Sequence, residues 1–420
     1  MACPLAAAPP TTLAASTPSK PIVRPDIEWI PSYKTFKDRV EKLAALNLNR
    51  PTTVPEGWPA YIDAERCWSG SDFKSEDEYI VKFTPEDITE IEAGLAFFKS
   101  LPGDLGPDDV SKTTFPLPTL ARRLLEVAKT IHSGRGFVVL RGLQPDKYSS
   151  MDKILLYLGV TSYIAETRGV QDNDGRMILH IKAVVEDVSK NGSMPNSPYV
   201  ARAQPFHTDL CDVLSLYALG TAAYGGESFL ASSAKIYNEI AATRPDIIHV
   251  LSKPDWPFDE FWNGEYNLRP IAHLFPPSPS STTSLPQPGF QFSRRPLTGA
   301  HFSPHHPSVP AMTEIQAEAL DTIYFLAKKH ALEIHLAKGD IEIFNNFAML
   351  HARSSFADDG VNQRHMLRLW LRNEELKWGT PKALEGISEE CYGQTGMERV
   401  WDVERSPPEL RVKFKRQSCA

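Results

Sequence analysis

Along the chain, the spacing of apolar and polar positions switches repeatedly between helical and strand periods. Two helical patterns come first, over residues 33–46 and Pro85–Ser100. In the second, Thr84 is placed to cap ahead of Pro85, and acids fill the first turns, where the helix dipole favours them. From residue 116 the stretch LPTLARRLLEVAKTIHSG keeps its apolar side chains at helical spacing and stops at a glycine. It runs straight into GFVVLRGL, an apolar β-branched run of strand length, so a helix followed by a strand is expected.

Another helix is expected near 149–158 and a strand near 177–182. Closely spaced strand signals follow in PFHTD, DVLSLYALG and GGESFLASS. Between 233 and 329 the pattern turns helical, and it carries FPPSPSSTTSLPQPG, a proline- and serine-rich excursion suited to a surface loop. Strand periodicity returns in ALEIHLAKGDIEIFNN, AMLHARSSF and RHMLRLWLRN. No internal repeat is visible. Strand-rich blocks on either side of a helical insertion predict an α+β fold, a sheet sandwich whose two halves pair across the insertion, with helices outside. The expected organisation is a disordered tail at 1–20 and an N-terminal helical or irregular extension at 21–115. A core at 116–380 follows, interrupted by the insertion at about 233–330, and then a C-terminal extension at 381–420.

Composition narrows the class. With 420 residues, 42% hydrophobic and 23% charged, the chain has the balance of a globular protein and enough length to enclose a buried site. A net charge of −7 provides no general basic field for nucleic-acid phosphates or anionic lipid, so neither nucleic acid nor membrane is expected as a partner. No stretch approaches the roughly 20 apolar residues of a membrane helix. The opening MACPLAAAPPTTLAASTPSK lacks a basic region ahead of an apolar one, so a cytoplasmic location is expected. Cys3, Cys67, Cys211, Cys391 and Cys419 are scattered and contain no CxxC pair, which suggests neither a disulfide framework nor a zinc site.

The sharpest chemical feature is Phe206-His207-Thr208-Asp209, where a strand pattern begins. Side chains two apart on a strand point the same way, so His207 and Asp209 can offer an imidazole nitrogen and a carboxylate oxygen to one ion. A distant histidine would complete a two-histidine, one-carboxylate facial set, which leaves open positions for a co-substrate and oxygen. Candidates for that third ligand are His301, His305, His306, His330, His335 and His351. The first three lie in a proline-bearing, loop-like run that favours surface exposure, and His335 falls in an amphipathic strand. His351 follows the strand block GDIEIFNNFAML and precedes Arg364, which opens another strand.

HTD, then Gly225-Gly226-Glu227-Ser228, then NNFAMLHARSSF and RHMLRLWLRN together resemble the taurine dioxygenase family of clavaminate-synthase-like folds. The helix and GFVVLRGL segment extend the likeness back to about residue 116. The resemblance implies a double-stranded β-helix (jelly-roll) core with flanking helices and a long helical and loop insertion. It implies iron(II) on His207, Asp209 and His351, with 2-oxoglutarate and O2 as co-substrates. Arg364 would then hold the far carboxylate of 2-oxoglutarate, a task for which a planar guanidinium suits better than an ammonium. Ser228, standing where the family has threonine, would offer its hydroxyl to the same carboxylate.

Arg368 lies on the same strand face as Arg364, roughly 13 Å further along. By resemblance it meets an anionic group of the substrate; by its position it equally suits a hydrogen-bonding support within the sheet. Arg353 with Asp358 and Asp359 reads as a loop ion pair, Asp212 as a turn residue, and the Arg294–Pro296 segment has no assigned role, with surface or lid packing favoured. The expected activity is oxidation of an unactivated C–H bond in a small, specialised metabolite by hydroxylation, desaturation or ring closure, with succinate and CO2 released. The carboxylate ligand Asp209 leaves no halide position, which disfavours halogenation. A protein demethylase, a cupin-like enzyme with another metal, and a non-catalytic sheet-sandwich binding module are the alternatives.

Overall fold

The computed structural model describes residues 27–183, 199–259, 264–278, 285–300, 304–393 and 396–404. The tail expected at 1–20 and His301 lie outside the described residues. Among the described residues, seventeen strands run β1 Ile80–Lys82, β2 Phe137–Arg141, β3 Thr167–Gly169, β4 Leu179–Lys182, β5 Gln204–His207, β6 Val213–Gly220, β7 Tyr224–Gly225, β8 Ser228–Ser232, β9 Trp256–Phe258, β10 Asn267–Arg269, β11 Ala272–Phe275, β12 Gln287–Phe290, β13 Leu332–Ile334, β14 Ile341–Asn345, β15 Met349–Arg353, β16 Phe356–Ala357 and β17 His365–Arg372.

Two sheets form the centre. A seven-stranded sheet has the order β1-β2-β14-β6-β17-β3, with β4 also on β17, and a four-stranded sheet has the order β13-β8-β15-β5. Only the β1–β2 pair of the larger sheet is parallel. Strands from before the insertion pair with strands from after it throughout: β6 with β14 and β17, β8 with β13 and β15, and β5 with β15.

The period-two rule sorts the strand residues into layers. On β14, Ile341 and Ile343 face the helices, whereas Phe344 faces the second sheet. On β17, Leu367, Leu369 and Leu371 face the helices, whereas Met366 and Trp370 face inward. The helices Pro85–Ser100, Ala121–His132 and Ser150–Ser162 cover the outer face of the large sheet with Leu95, Leu124, Ile131 and Leu155. Helices Ser233–Thr243, Pro245–Leu251 and Glu314–His330 cover the small sheet, burying Ile236, Ile248 and Ile323 against Ala231 and Leu350. Between the sheets Phe137, Leu214, Leu216 and Phe344 meet Leu230, Leu332, Ile334 and Met349.

Local chemistry sets the element ends. Thr84 accepts from the Asp87 amide at 3.2 Å while Asp87 accepts from the Thr84 amide at 2.7 Å, closing the cap expected ahead of Pro85. The insertion departs from an all-helical reading, because it also contains the two-stranded sheets β9–β10 and β11–β12. Pro257 and Pro288 sit inside those strands and hide them from a propensity reading, since proline cannot donate to a ladder. At the N-terminal side, Arg39 of helix Tyr33–Ala45 is buried and bonds Asp321 of helix Glu314–His330 at 3.0 Å, fixing the early helix to the insertion.

Candidate metal and co-substrate site

β5 and β15 are antiparallel neighbours with His207 directly opposite His351, so two imidazoles from far-apart segments stand side by side, ring centroids 4.0 Å apart. His207 closes β5 rather than opening a strand, and Asp209 lies just beyond it. Asp209 Oδ1 is 3.7 Å from His207 Nε2 and 4.0 Å from His351 Nε2. One ligand atom from each residue lies within 4.8 Å of the others, and no other group of three or more His, Cys, Asp or Glu gathers in this way among the described residues.

The surroundings orient each donor. The Nδ1–H of His207 donates to the Pro205 carbonyl at 2.9 Å, which leaves Nε2 as the lone-pair nitrogen facing Asp209. Thr208 points the other way and ties to Phe292: the Thr208 amide donates to the Phe292 carbonyl at 2.8 Å, and the Phe292 amide donates to Thr208 Oγ1 at 2.9 Å. Asn346 holds the Asp209 main chain, accepting from its amide at 2.9 Å and donating to its carbonyl at 2.8 Å. On the carboxylate, Oδ2 accepts from Arg368 Nη1 at 2.9 Å and from Trp370 Nε1 at 3.0 Å, which leaves Oδ1 towards the imidazoles.

The charge state follows from these contacts. Burial opposes ionisation of Asp209, but Arg368, the two imidazoles and the Trp370 hydrogen bond outweigh it and hold the carboxyl at about 2. Burial lowers the pKa of His207, and it drives His351 well below the ordinary value with His207 adding to the push. Two neutral imidazoles and one carboxylate are the protonation states that ligation of a divalent cation requires.

Arg364, expected to clamp the co-substrate, lies in the same cleft, which is bounded by His207, His351, Ser228, Arg353, Arg364 and Arg368 with Leu214 and Leu216 as an apolar wall. Arg364 is buried, its guanidinium carbon 5.5 Å from the centre of the Phe356 ring. Gly225 and Gly226 both have positive φ, 70° and 84°, and a Cβ on Gly226 would stand 3.1 Å from the Arg364 side chain, so the paired glycines make both the turn and the passage for this arginine. Its amide donates to Asp358 at 2.8 Å, but its Nε is buried without a partner among the described residues. Burial lowers the Arg364 pKa to about 10, which leaves the group cationic at neutral pH. A buried cationic donor lacking an acceptor calls for a partner, and an anion entering the cleft would supply one.

Ser228 is buried on β8 and donates to Glu342, 2.9 Å from each carboxylate oxygen. Arg368 Nε donates to Gln171 Oε1 at 2.9 Å in addition to its contact with Asp209. Elsewhere the structure differs from simple expectation. The side chain of His305 is 4% accessible and lies 3.7 Å from Asp259 Oδ2, turned inward rather than to the surface. His335 falls beyond the end of β13 and is exposed beside Glu333, and His330 bonds Glu239 at 2.6 Å. Arg353 forms no ion pair with Asp358 or Asp359; it donates to the Val200 and Arg202 carbonyls at 2.6 Å each. Asp212 is more than a turn residue, since Arg372 grips both its oxygens at 2.7 and 3.0 Å. Arg294 does not lie at the surface: it is fully buried and donates to Asp321 at 2.8 Å.

Trp370, Asn346 and Glu342 were not singled out from sequence. Trp370 had a signal, since it is two residues from Arg368 and so on the same strand face. Asn346 and Glu342 had only their position in a strand block.

The family described as Taurine catabolism dioxygenase TauD, TfdA family matches residues 98–370. The chain belongs to this family. As a member of the TauD/TfdA family it is a non-haem iron, 2-oxoglutarate-dependent dioxygenase. Among curated relatives, the Taurine hydroxylase-like protein SAT17 of Stachybotrys chartarum is 33% identical over 82% of this chain and 89% of its own length. FR-33289 synthase of Streptomyces rubellomurinus is 22% identical over 63% of this chain and 77% of its own length. Among solved structures, asparagine oxygenase in complex with Fe(II), 2S,3S-3-hydroxyasparagine and succinate superposes with a TM-score of 0.52 at 15% identity, covering 70% of this chain and 93% of that one. At that identity the likeness is one of fold. No helix among the described residues is long and apolar enough to cross a membrane.

Proposed function

We propose that His207, Asp209 and His351 hold iron(II) in a double-stranded β-helix core, and that Arg364 binds the far carboxylate of 2-oxoglutarate. The enzyme then oxidises an unactivated C–H bond of a small metabolite by hydroxylation, desaturation or oxidative cyclisation, releasing succinate and CO2. The observation that carries the reading is the pairing of His207 with His351 across adjacent strands, with Asp209 Oδ1 turned towards both. Bound there with 2-oxoglutarate and dioxygen, iron supplies the oxidising power.

The chain's own residues provide position and dryness. Pro205 keeps the His207 donor nitrogen aimed, while Arg368 and Trp370 stop the Asp209 carboxylate from turning. Arg364 supplies a desolvated guanidinium whose Nε lacks an acceptor, so a carboxylate entering there gains a strong charge-assisted contact. Leu214 and Leu216 line the cleft and exclude water around the reacting atoms. Arg368 stands on the same wall, placed to meet an anionic group on a substrate while Nη1 stays on Asp209, so carboxylate-bearing metabolites come first in a screen.

Anaerobic protein given iron(II) and 2-oxoglutarate should show the weak visible charge-transfer band of the chelate. Absence of the band in the wild type, or its persistence in His351→Ala, would overturn the assignment. A succinate-release screen over amino acids, aromatic acids and specialised metabolites, read by mass spectrometry for gain of an oxygen or loss of two hydrogens, identifies substrate and outcome together.

A further inference from the structure

The carboxylate clamp contains an acid of its own. Glu342 of β14 is fully buried and lies on the inner face, between its strand partners Val139 of β2 and Leu216 of β6. Both its oxygens accept from the Ser228 hydroxyl on the opposite sheet. The charged and titratable groups facing it are few. Arg364, just ahead of β17, attracts its charge. Asp340, just ahead of β14, repels it, though Arg141 of β2 binds Asp340 at 2.7 Å. Tyr79, just ahead of β1, feels the Glu342 charge in turn. Among the described residues Glu342 forms no hydrogen bond with Arg364, so the acid acts on the guanidinium through charge, behind the Ser228 hydroxyl that lines the cleft.

Counting charge shows the difficulty this creates. An ionised Glu342 already offsets Arg364, the one cation among the described residues that acts on it, and a dicarboxylate placing its second carboxylate on Arg364 would bring two anions to that guanidinium, since Arg353 in the same wall is engaged by the Val200 and Arg202 carbonyls. In a low-dielectric site that surplus is costly, and the cheapest relief is a proton. The Ser228 hydroxyl makes the geometry of that relief explicit. Its single proton is spent on Glu342, so it has none to give a ligand.

We propose that Glu342 is the proton acceptor linked to co-substrate binding: as the far carboxylate of 2-oxoglutarate docks on Arg364, Glu342 takes one proton from solvent and donates it in a hydrogen bond to Ser228 Oγ, which turns its own hydroxyl proton to the incoming carboxylate. Only O–H bonds are made and broken: the buffer acid gives up one proton through solvent to Glu342, and the Ser228 proton changes only the acceptor it faces. The inference rests on the reading of Arg364 as the co-substrate clamp. Burial raises the Glu342 pKa to about 7, with Ser228 and Arg364 pulling it back down, so the free site is poised to make this exchange near neutrality. Gln at 342 imitates the protonated acid, since its amide can donate to Ser228.

The test is calorimetric titration of 2-oxoglutarate into anaerobic iron(II)-loaded enzyme, in buffers of matched pH but different ionisation enthalpy. The wild type should take up about one proton per 2-oxoglutarate at pH 8 and far less at pH 6, and its dissociation constant should rise about tenfold per pH unit above 7. Glu342→Gln should bind with no proton uptake and a flat pH profile. A proton count near zero at pH 8 in the wild type overturns the proposal, as does an unchanged slope in Glu342→Gln. Should that variant fail to fold, the wild-type proton count alone decides. If 2-oxoglutarate binds without proton uptake and Arg364→Ala abolishes binding, the clamp stands and only the role of Glu342 falls. If wild type binds no 2-oxoglutarate at any pH, the clamp reading itself is lost.

Discussion

Replacing Trp370 by Phe removes one donor from the ligand carboxylate and little else. The indole Nε1 gives Asp209 Oδ2 a hydrogen bond of 3.0 Å in a fully buried setting, and Arg368 supplies the other at 2.9 Å. A phenyl ring keeps most of the contact that the indole makes inside the core, where Arg368 lies 5.3 Å from the ring centre. What is lost is a hydrogen bond to a charged group, worth about 1.5–3 kcal/mol. Asp209 can then turn about its last torsion, and Oδ1 spends less time facing His207 and His351. At 1.4 kcal/mol per decade the loss corresponds to roughly 10- to 150-fold weaker iron binding, in line with the effect of removing outer partners of metal ligands. The assay is an anaerobic iron(II) titration of the apoprotein with 2-oxoglutarate present, following the visible band, with the thermal midpoint recorded alongside. Iron affinity within twofold of wild type, in a variant whose stability is unchanged, would refute the claim that Oδ2 is held so that Oδ1 can ligate.

Arg364→Ala should raise the 2-oxoglutarate requirement by at least 100-fold, because the co-substrate carboxylate would be buried without its charged partner, while iron binding alone changes little; steady-state KM and direct iron titration separate the two. Glu342→Gln should stabilise the apoprotein at pH 8 and not at pH 4. The carboxyl is raised from 4.5 to about 7 in the folded state, so its contribution is fully present below about 4.5 and lost as pH rises through 7, a span of about 3 kcal/mol that paired urea denaturations would reveal. Asp321→Ala should cost about 3–5 kcal/mol, since it leaves the buried Arg39 and Arg294 without their shared acceptor; a denaturant midpoint equal to wild type would exclude that role.

The proposed metal ligands stood out in sequence because their chemistry is carried by short motifs. His207 and Asp209 are two apart, and His351 was separated from five other histidines by its place between strand blocks and by the arginine that follows it. The residues that aim those ligands were harder to see. Asn346 and Trp370 reach Asp209 across 137 and 161 residues of sequence, and only the pairing of β6 with β14 and β17 brings them there. Glu342 was concealed by the very rule that reveals strands. An acid between two isoleucines suggests one face in water, yet β14 is a central strand covered on both sides, so the alternation marks a buried acid and not a wet face. The inward turn of His305 escaped for the opposite reason, since the prolines around it promise exposure, whereas Asp259 from another loop stands beside it in the fold.

The adjacency of His207 and His351 has a consequence for how the protein matures. Each imidazole belongs to a strand on one side of the insertion, so the pair exists only after β5 has zipped onto β15, a contact that closes a loop of more than a hundred residues. A nascent polypeptide that has emerged through β8 displays a bidentate His–Asp pair and nothing more. On the proposed ligand set, stable loading of the metal would report completion of the tertiary structure, and iron bound at full strength would certify that the C-terminal strands have found their places.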